Sequence, residues 1–360
     1  MKYYSKRLEK LKAILNKNNL DGMITNNLNN IRYLCGFSGS SGTCLILNEN
    51  NFFISDGRYK IQSQLEVKNM DIIIENESNI NSIKNYKLLK TKNLRLGFES
   101  NNISYSTLTL LKTIFPYIIW VPISNTIEEI AMLKDPYEIQ CIKKSVKITD
   151  QAFDQIIPDI SVGINEKEIA AKISFALKIL GADDDAFKPI VAGGSNSALP
   201  HAVPSDRKLQ KGDFLILDFG AKYNGYNSDM TRTVVIKECS DHQKEIYDIV
   251  YESQKLGINA SSDSIDCKYL DYVCRNYIEL NGFGDKFIHN TGHGLGLAVH
   301  ENPRFSKNSN EKIYTDYVMT IEPGVYIEGF GGVRIEDDVL IKKSGCEVLN
   351  KSQKDLLILD

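Results

Sequence analysis

The chain has 360 residues, 42% of them hydrophobic and 25% charged, with a formal net charge of −3. That length supports two domains with cores of their own, and the composition is that of an ordinary soluble globular protein. So small a net charge leaves no electrostatic footprint for nucleic acid or an anionic membrane, and directs attention to a small molecule or peptide as partner.

The N-terminal MKYYSKRLEKLKAIL sets Leu8, Leu11 and Leu15 at amphipathic-helix spacing among Lys, Arg and Glu. It lacks the continuous apolar run of a signal peptide, and no stretch approaches the length of a membrane span. DGMIT then reads as a strand, NNLNNIRYLCGFSGSSG as a loop, TCLILNE and NFFISDG as strands, and RYKIQSQLEV as a helix. This alternation predicts an α/β domain over residues 1–125. The loop GFSGSSG lacks the Lys-Ser/Thr ending of a P-loop and precedes a strand, and its Ser40 and Ser41 do not fit a G-x-S-x-G elbow. The seven cysteines, Cys35, Cys44, Cys141, Cys239, Cys267, Cys274 and Cys346, are scattered without C-x-x-C spacing, which fits small core residues in a reducing cytoplasm.

SNTIEEIAMLKDPYEIQ carries the change of domain, and the second domain is predicted over residues 130–360. Its first helix starts with Asp135 as cap, Pro136 at the first helical position and Glu138 completing a capping box, and stops at Pro158. A second helix runs from Glu166, capped by Asn165, to Gly181. Two strand-like segments, LILDFGAKY and YNSDMTRTVVI, flank Asn224-Gly225, a strong hairpin signal. The pattern then returns: a capping box of Ser240 and Gln243, a long helix, another helix ending near Gly282, and a second hairpin of MTIEPGVYI and GGVRIEDDVLI around Gly329 to Gly332. The expected architecture is two sheets curled around one central site with helices outside.

Five residues able to hold hard divalent metals lie in these strands and in a Gly-rich segment: Asp218, Asp229, His293, Glu322 and Glu336. With Asn224-Gly225 as the turn, Asp218 lies opposite Thr231, and Asp229 is its diagonal neighbour on the same face, about 7–8 Å away. The second hairpin places Glu322 and Glu336 nearly across from each other, with the register left open by its turn. Four carboxylates converging on one point repel each other severely unless cations neutralise them, so the chain reads as a two-metal hydrolase. An oxygen-rich set with a single imidazole favours manganese or cobalt, with zinc as a further option.

The segments LDFGAKYNGYNSDMTRT, HNTGHGLGLAVHE, IEPGVYI and GGVRIEDD resemble, in order, the motifs of the pita-bread metallopeptidases, the family of methionine aminopeptidase, aminopeptidase P and prolidase. The N-terminal piece resembles the smaller domain of the aminopeptidase P and creatinase branch. The resemblance implies that Asp218 and His293 belong to different metals, that Asp229 and Glu336 bridge both, and that Glu322 is a ligand and also the general acid or base. It further implies that His201 and His300 hydrogen-bond the substrate and its tetrahedral intermediate, and that His289 binds substrate or supports His293. Arg334, two residues before Glu336 in the same strand, shares its face and is expected to orient the Glu336 carboxylate or hold substrate. His242, at a helix start, is expected to be solvated. Departures from the usual pattern are Asn290, Lys188 and Ala298, none of them a metal ligand.

By that resemblance the loop near Ser40 and SDGRY close over a neighbouring subunit's site, which implies a homodimer. The implied activity is a cytoplasmic, manganese-dependent Xaa-Pro aminopeptidase acting on peptides with proline second. A dipeptide-specific prolidase is the alternative, and a non-peptidase relative a more distant one. The aminopeptidase is preferred because FSGSSG and SDGRY resemble the aminopeptidase P side, and because the motifs hold no basic residue beyond Arg232 and Arg334, both expected beside the metals, to fix a dipeptide's carboxylate.

Overall fold

The computed structural model describes residues 2–75 and 93–360, in two compact units, Met1–Ala131 and Met132–Asp360. The first unit is built on a six-stranded mixed sheet ordered Asp71–Glu75, Asn51–Asp56, Thr43–Leu47, Gly22–Thr25, Arg95–Glu99, Ile119–Ile123. The strands Gly22–Thr25, Thr43–Leu47 and Asn51–Asp56 pair antiparallel in turn, and the three remaining pairs, one on the Asp71–Glu75 flank and two on the Ile119–Ile123 flank, are parallel. Ile24, Leu45, Phe52, Ile54, Leu96 and Phe98 form its core with Leu111 and Phe115 of the helical side.

One expectation is corrected in this unit. The stretch read as a loop from Asn26 holds a helix, Leu28–Cys35, with the Asn27 side chain accepting from the Asn29 amide and Gly36 closing it at φ 87°. The asparagines that resemble turn chemistry act as a cap and a polar flank, while Ile31, Leu34 and Cys35 are buried at helical spacing. Gly36 is suited to that left-handed closing position because it carries no Cβ.

In the second unit the helix Pro136–Ile156 begins with the full Asp135/Glu138 capping box, and the helix Glu166–Ile179 is capped by Asn165. Their buried face (Ile148, Phe153, Ile169, Ile173) packs on Leu215, Leu217 and Phe219 of the strand Phe214–Phe219 and on Val234 and Ile236 of the strand Met230–Ile236. These two strands pair antiparallel within a four-stranded sheet. Because strand side chains alternate, helix contact by Leu215 and Leu217 turns Ile216 and Asp218 to the opposite face. Asn224 and Gly225, at φ 48° and 79°, make the turn beyond these strands, as the primed hairpin turns require.

The motif repeats. Helices Asp241–Ala260, with its Ser240/Gln243 box, and Cys267–Leu280 pack Ile246, Val250, Leu270, Cys274 and Ile278 against Met319, Ile321, Val339 and Ile341. The last four belong to strands Val318–Ile321 and Asp337–Ile341 of a five-stranded sheet that also holds Gly292–Gly294 and Glu301–Phe305. The second hairpin crosses from one sheet to another without losing register. Ile321 pairs with Asp337 in the five-stranded sheet, and Gly324 pairs with Arg334 in a separate two-stranded ribbon. The interval left between them sets Glu322 and Pro323 against Ile335 and Glu336. Pro323 has no amide proton to give the ladder. There the Glu322 amide donates to Thr291 O at 2.8 Å and the Glu336 amide to Thr231 O at 3.1 Å. Glu322 thus extends the ladder to the Gly292–Gly294 strand of its own sheet, while Glu336 is tied by its backbone to the first hairpin.

Candidate active site

The break in the second hairpin faces the polar side of the first. Asp218 pairs directly with Thr231, Asp229 lies just before the strand Met230–Ile236, and Thr231 receives the Glu336 amide. Thr291, which receives the Glu322 amide, leads into the short strand Gly292–Gly294 that carries His293. Gly292 is required here, because a Cβ on it would lie 2.0 Å from Thr320 O. The five expected residues therefore line one cavity of about 330 Å³, together with His201, His289, His300 and Arg334.

Ligating atoms of Asp229, His293 and Glu336 lie within 4.8 Å of one another. His293 Nε2 is 3.8 Å from Asp229 Oδ2 and 3.5 Å from Glu322 Oε1. Its Nδ1 sits 3.0 Å from Gly294 O, and since a carbonyl only accepts, Nδ1 carries the proton and Nε2 turns a lone pair to the carboxylates. Burial, aided by neighbouring His300, pushes this imidazole down to about 3, which keeps it neutral. Asp218 takes Arg334 Nη2 at 2.5 Å on Oδ2, while its Oδ1 is buried with no hydrogen-bond partner among the described residues. An orphaned, buried carboxylate oxygen is costly unless something positive meets it.

The electrostatics point the same way. Burial, then the charges of Glu336 and Asp218, raises Asp229 well above the usual carboxylate range, and burial with Glu322 and Asp218 does the same to Glu336. Glu322 is pushed up to about 8 by burial, against the pull of Arg334. Asp218 is raised by burial too, with Arg334 opposing. One guanidinium cannot hold four such groups ionised at neutral pH. The donors are hard oxygens plus one imidazole, and they fit divalent cations.

A polar network supports these groups. Arg334 donates from Nε to Thr231 Oγ1 at 3.0 Å, and Thr231 donates to Glu336 Oε2 at 2.7 Å. Arg334 Nη1 donates to the Tyr326 hydroxyl at 2.7 Å. That hydroxyl lies 2.8 Å from His289 Nε2, whose Nδ1 lies 2.8 Å from Asn290 O, so Tyr326 donates to His289. Asp338 Oδ2 accepts from the Asp229 amide at 3.0 Å.

Several expectations change. The contact made by Arg334 is to Asp218, and it reaches Glu336 through Thr231. His289 is bonded to Tyr326 and not to His293, so the support it gives runs through Arg334. Arg232 is buried behind the site on Asp337 Oδ1, on the carbonyls of Thr231 and Glu336, and on those of Ser352 and Gln353; its side chain faces away from the cavity. His201 and His300 are exposed at the cavity, where the His300 ring meets that of His293 edge-on at 4.5 Å. His242 is exposed and pairs with Glu245, as a solvated residue would. Asn290 lines the cavity, and Lys188 and Ala298 are not among its lining residues.

The sequence reading placed Thr231 opposite Asp218 but gave it no role, and it missed Tyr326, Asp338 and Arg304. Arg304 lines the cavity on the strand Glu301–Phe305, directly across from His293. It is exposed, and no hydrogen bond or ion pair to a described residue engages its guanidinium. Its signal was present: four residues past His300 in an extended segment, on the face that alternation assigns.

Comparison with known proteins agrees with this geometry. The pattern of Metallopeptidase family M24 matches residues 140–343, and that of the Creatinase/Prolidase N-terminal domain matches residues 7–132. The Xaa-Pro dipeptidase of Pyrococcus furiosus is 37% identical over 359 residues, covering 98% of this chain and 99% of that protein. The solved structure of an Xaa-Pro dipeptidase from Bacillus anthracis superposes with a TM-score of 0.95 at 37% identity, over 99% of this chain and 100% of that one. An X-Pro aminopeptidase from Thermotoga maritima gives 0.88 at 34% identity, over 95% and 98%.

Proposed function

The chain belongs to metallopeptidase family M24, with a creatinase/prolidase N-terminal domain and a pita-bread catalytic domain, and from that premise we propose that it is a two-metal peptidase acting on the bond between an N-terminal residue and proline, with Xaa-Pro dipeptides as preferred substrates. The observation that carries the dipeptide reading is Arg304, an unengaged cation on the cavity opposite His293. The expectation of an aminopeptidase rested on the look of FSGSSG and SDGRY and on finding no basic residue in the metal motifs besides Arg232 and Arg334, and Arg304, just beyond those motifs, weakens the second ground. A guanidinium that no described residue engages matches the carboxylate a dipeptide carries on its proline, where a longer peptide has an uncharged amide.

In this reading Asp218, Asp229, His293, Glu322 and Glu336 would hold two divalent cations, manganese by the oxygen-rich donor set. Such ions supply Lewis acidity toward the scissile carbonyl and toward water. Glu322, whose Oε1 lies 3.5 Å from His293 Nε2 at the cavity, is placed to take a proton from the attacking water and return it to the proline nitrogen once bound cations hold its carboxylate ionised. His300 and His201 present ring donors where charge develops on the carbonyl oxygen. Arg334 fixes the Asp218 carboxylate so that its second oxygen faces the cavity. The seven cysteines are all free thiols, which supports a reducing cytoplasm, and no described helix is long and apolar enough to cross a membrane. A homodimer completes the proposal on the family resemblance alone.

The test is a comparison of kcat/KM for Ala-Pro, Ala-Pro-amide and Ala-Pro-Ala with manganese-loaded protein. Ala-Pro at least tenfold above both others supports the dipeptidase, and equal or better cleavage of Ala-Pro-Ala restores the aminopeptidase.

A further inference from the structure

Among the described lysines Lys134 alone is buried, with a side chain 2% exposed. Its Nζ donates to Glu301 Oε2 at 2.8 Å and to Met132 O at 3.3 Å, and its amide donates to Asp316 O. Taking an ammonium and a carboxylate out of water carries a desolvation penalty that pairing only partly offsets, so two apolar side chains would serve packing as well. The position of the pair gives it a use.

Glu301 directly follows His300 and pairs with Gly294 across the base of the turn that joins the two histidine segments. Its Oε1 accepts from the Ala298 amide at 3.1 Å, inside that turn. Gly296 leaves the room the carboxylate fills, since a Cβ there would lie 2.5 Å from Oε1 and 2.7 Å from Oε2. The other flank is held by Asn227, whose Nδ2 donates to Gly296 O and Leu297 O, both at 3.0 Å. The His300 end of the turn is held by the Glu301 carboxylate, and that carboxylate is held by Lys134. Its outcome is the edge-on contact of the His300 and His293 rings.

We propose that Lys134 is a positioning residue for His300: by anchoring the Glu301 carboxylate it fixes the turn that presents the His300 ring at the cavity, without itself touching substrate. This rests on the reading of His300 as a donor to the substrate.

A double-mutant cycle on the full-length manganese-loaded protein tests it. Wild type, K134M, H300A and K134M/H300A are compared for kcat and KM on Ala-Pro, with bound metal and melting temperature measured alongside. K134M should lower kcat/KM tenfold or more with metal content unchanged, and should add less than twofold in the H300A background. K134M/E301Q removes both charges, leaves no unpaired buried ion, and should show the same loss; it replaces K134M in the cycle if that variant does not fold. Multiplicative losses, loss of metal from K134M, or wild-type kinetics overturn the proposal. If the wild-type protein cleaves no Xaa-Pro substrate, the functional reading fails and the positional one is read chemically, by the rate at which diethyl pyrocarbonate modifies His300. A change of at least threefold in K134M or in K134M/E301Q sustains the anchoring role, and an unchanged rate overturns it.

Discussion

Arg334 Nη2 lies 2.5 Å from Asp218 Oδ2, and the other oxygen of the same carboxylate is buried with no partner among the described residues. The cation therefore does not neutralise the aspartate for the sake of the fold alone: it takes one oxygen and leaves the second directed at a shared polar cavity. Through Thr231 the same guanidinium reaches Glu336, so one side chain sets the orientation of two candidate ligands.

R334M should accordingly bind manganese about 10–100-fold more weakly, the usual cost of losing a group that orients a metal ligand. Metal titration of the purified variant checks this. Wild-type affinity would show that Asp218 is oriented without Arg334.

The second prediction concerns pH. Glu322 is raised from 4.5 to about 8 by burial, and burial raises Asp229 and Glu336 well above the usual carboxylate range as well. Over that range the folded metal-free protein holds protons that the unfolded chain has released, so their contribution to stability is present below about pH 4.5 and is lost as pH rises through 8. His293 and His289, lowered from 6.5 to about 3, act oppositely but only below pH 6.5. Between pH 6.5 and 8 the carboxylates alone decide the sign. The melting temperature of the chelated protein should fall across that interval, and saturating manganese should remove most of the fall. A melting temperature that rises with pH in the chelated sample contradicts the buried-carboxylate account.

Metal binding to the same groups must displace their protons. Calorimetric titration of manganese at pH 7 in buffers of different ionisation enthalpy should show net proton release, and an enthalpy independent of buffer would count against it.

Much of this site was legible in the sequence because its strands carry strong local signals. Asn224-Gly225 fixed the turn, the turn fixed the register, and Asp218 does lie opposite Thr231. Glu322 and Glu336 are opposed as the alternation implied, although the hairpin divides between two sheets at that point, which a pattern read along one chain cannot reveal. Arg334, His289 and Tyr326 were the harder cases. Which acid an arginine meets depends on where another hairpin lies, and Asp218 is 116 residues away. Tyr326, two strand positions beyond Gly324 and on the face of Glu322, reads as an ordinary core aromatic until its hydroxyl is seen between Arg334 and His289. The helix Leu28–Cys35 was hidden for a local reason: asparagine favours turns and helix caps alike.

H300A and H201A should each lower kcat by about 10²–10³ if each ring supplies a donor to the developing charge, with bound manganese near the wild-type level. Metal analysis alongside steady-state kinetics decides it. Loss of metal from either variant would place that histidine among the ligands.

The last prediction separates the two peptidase readings through Arg304. Its guanidinium sits on the cavity across from His293, and no described residue pairs with it, so a carboxylate arriving there meets a donor that need not first break another contact. A hydrogen-bonded charge pair contributes about 1.5–3 kcal/mol, which corresponds to roughly 10–100-fold in affinity. R304M should raise KM for Ala-Pro by a factor in that range while kcat and bound metal stay close to wild type, because the contact is present in the ground state and the transition state alike. Ala-Pro-amide, which offers no carboxylate, should be indifferent to the substitution. An equal loss on both substrates would show that Arg304 acts on the site as a whole, through its charge beside His293 and His300, and the preference for dipeptides would then lose its physical basis.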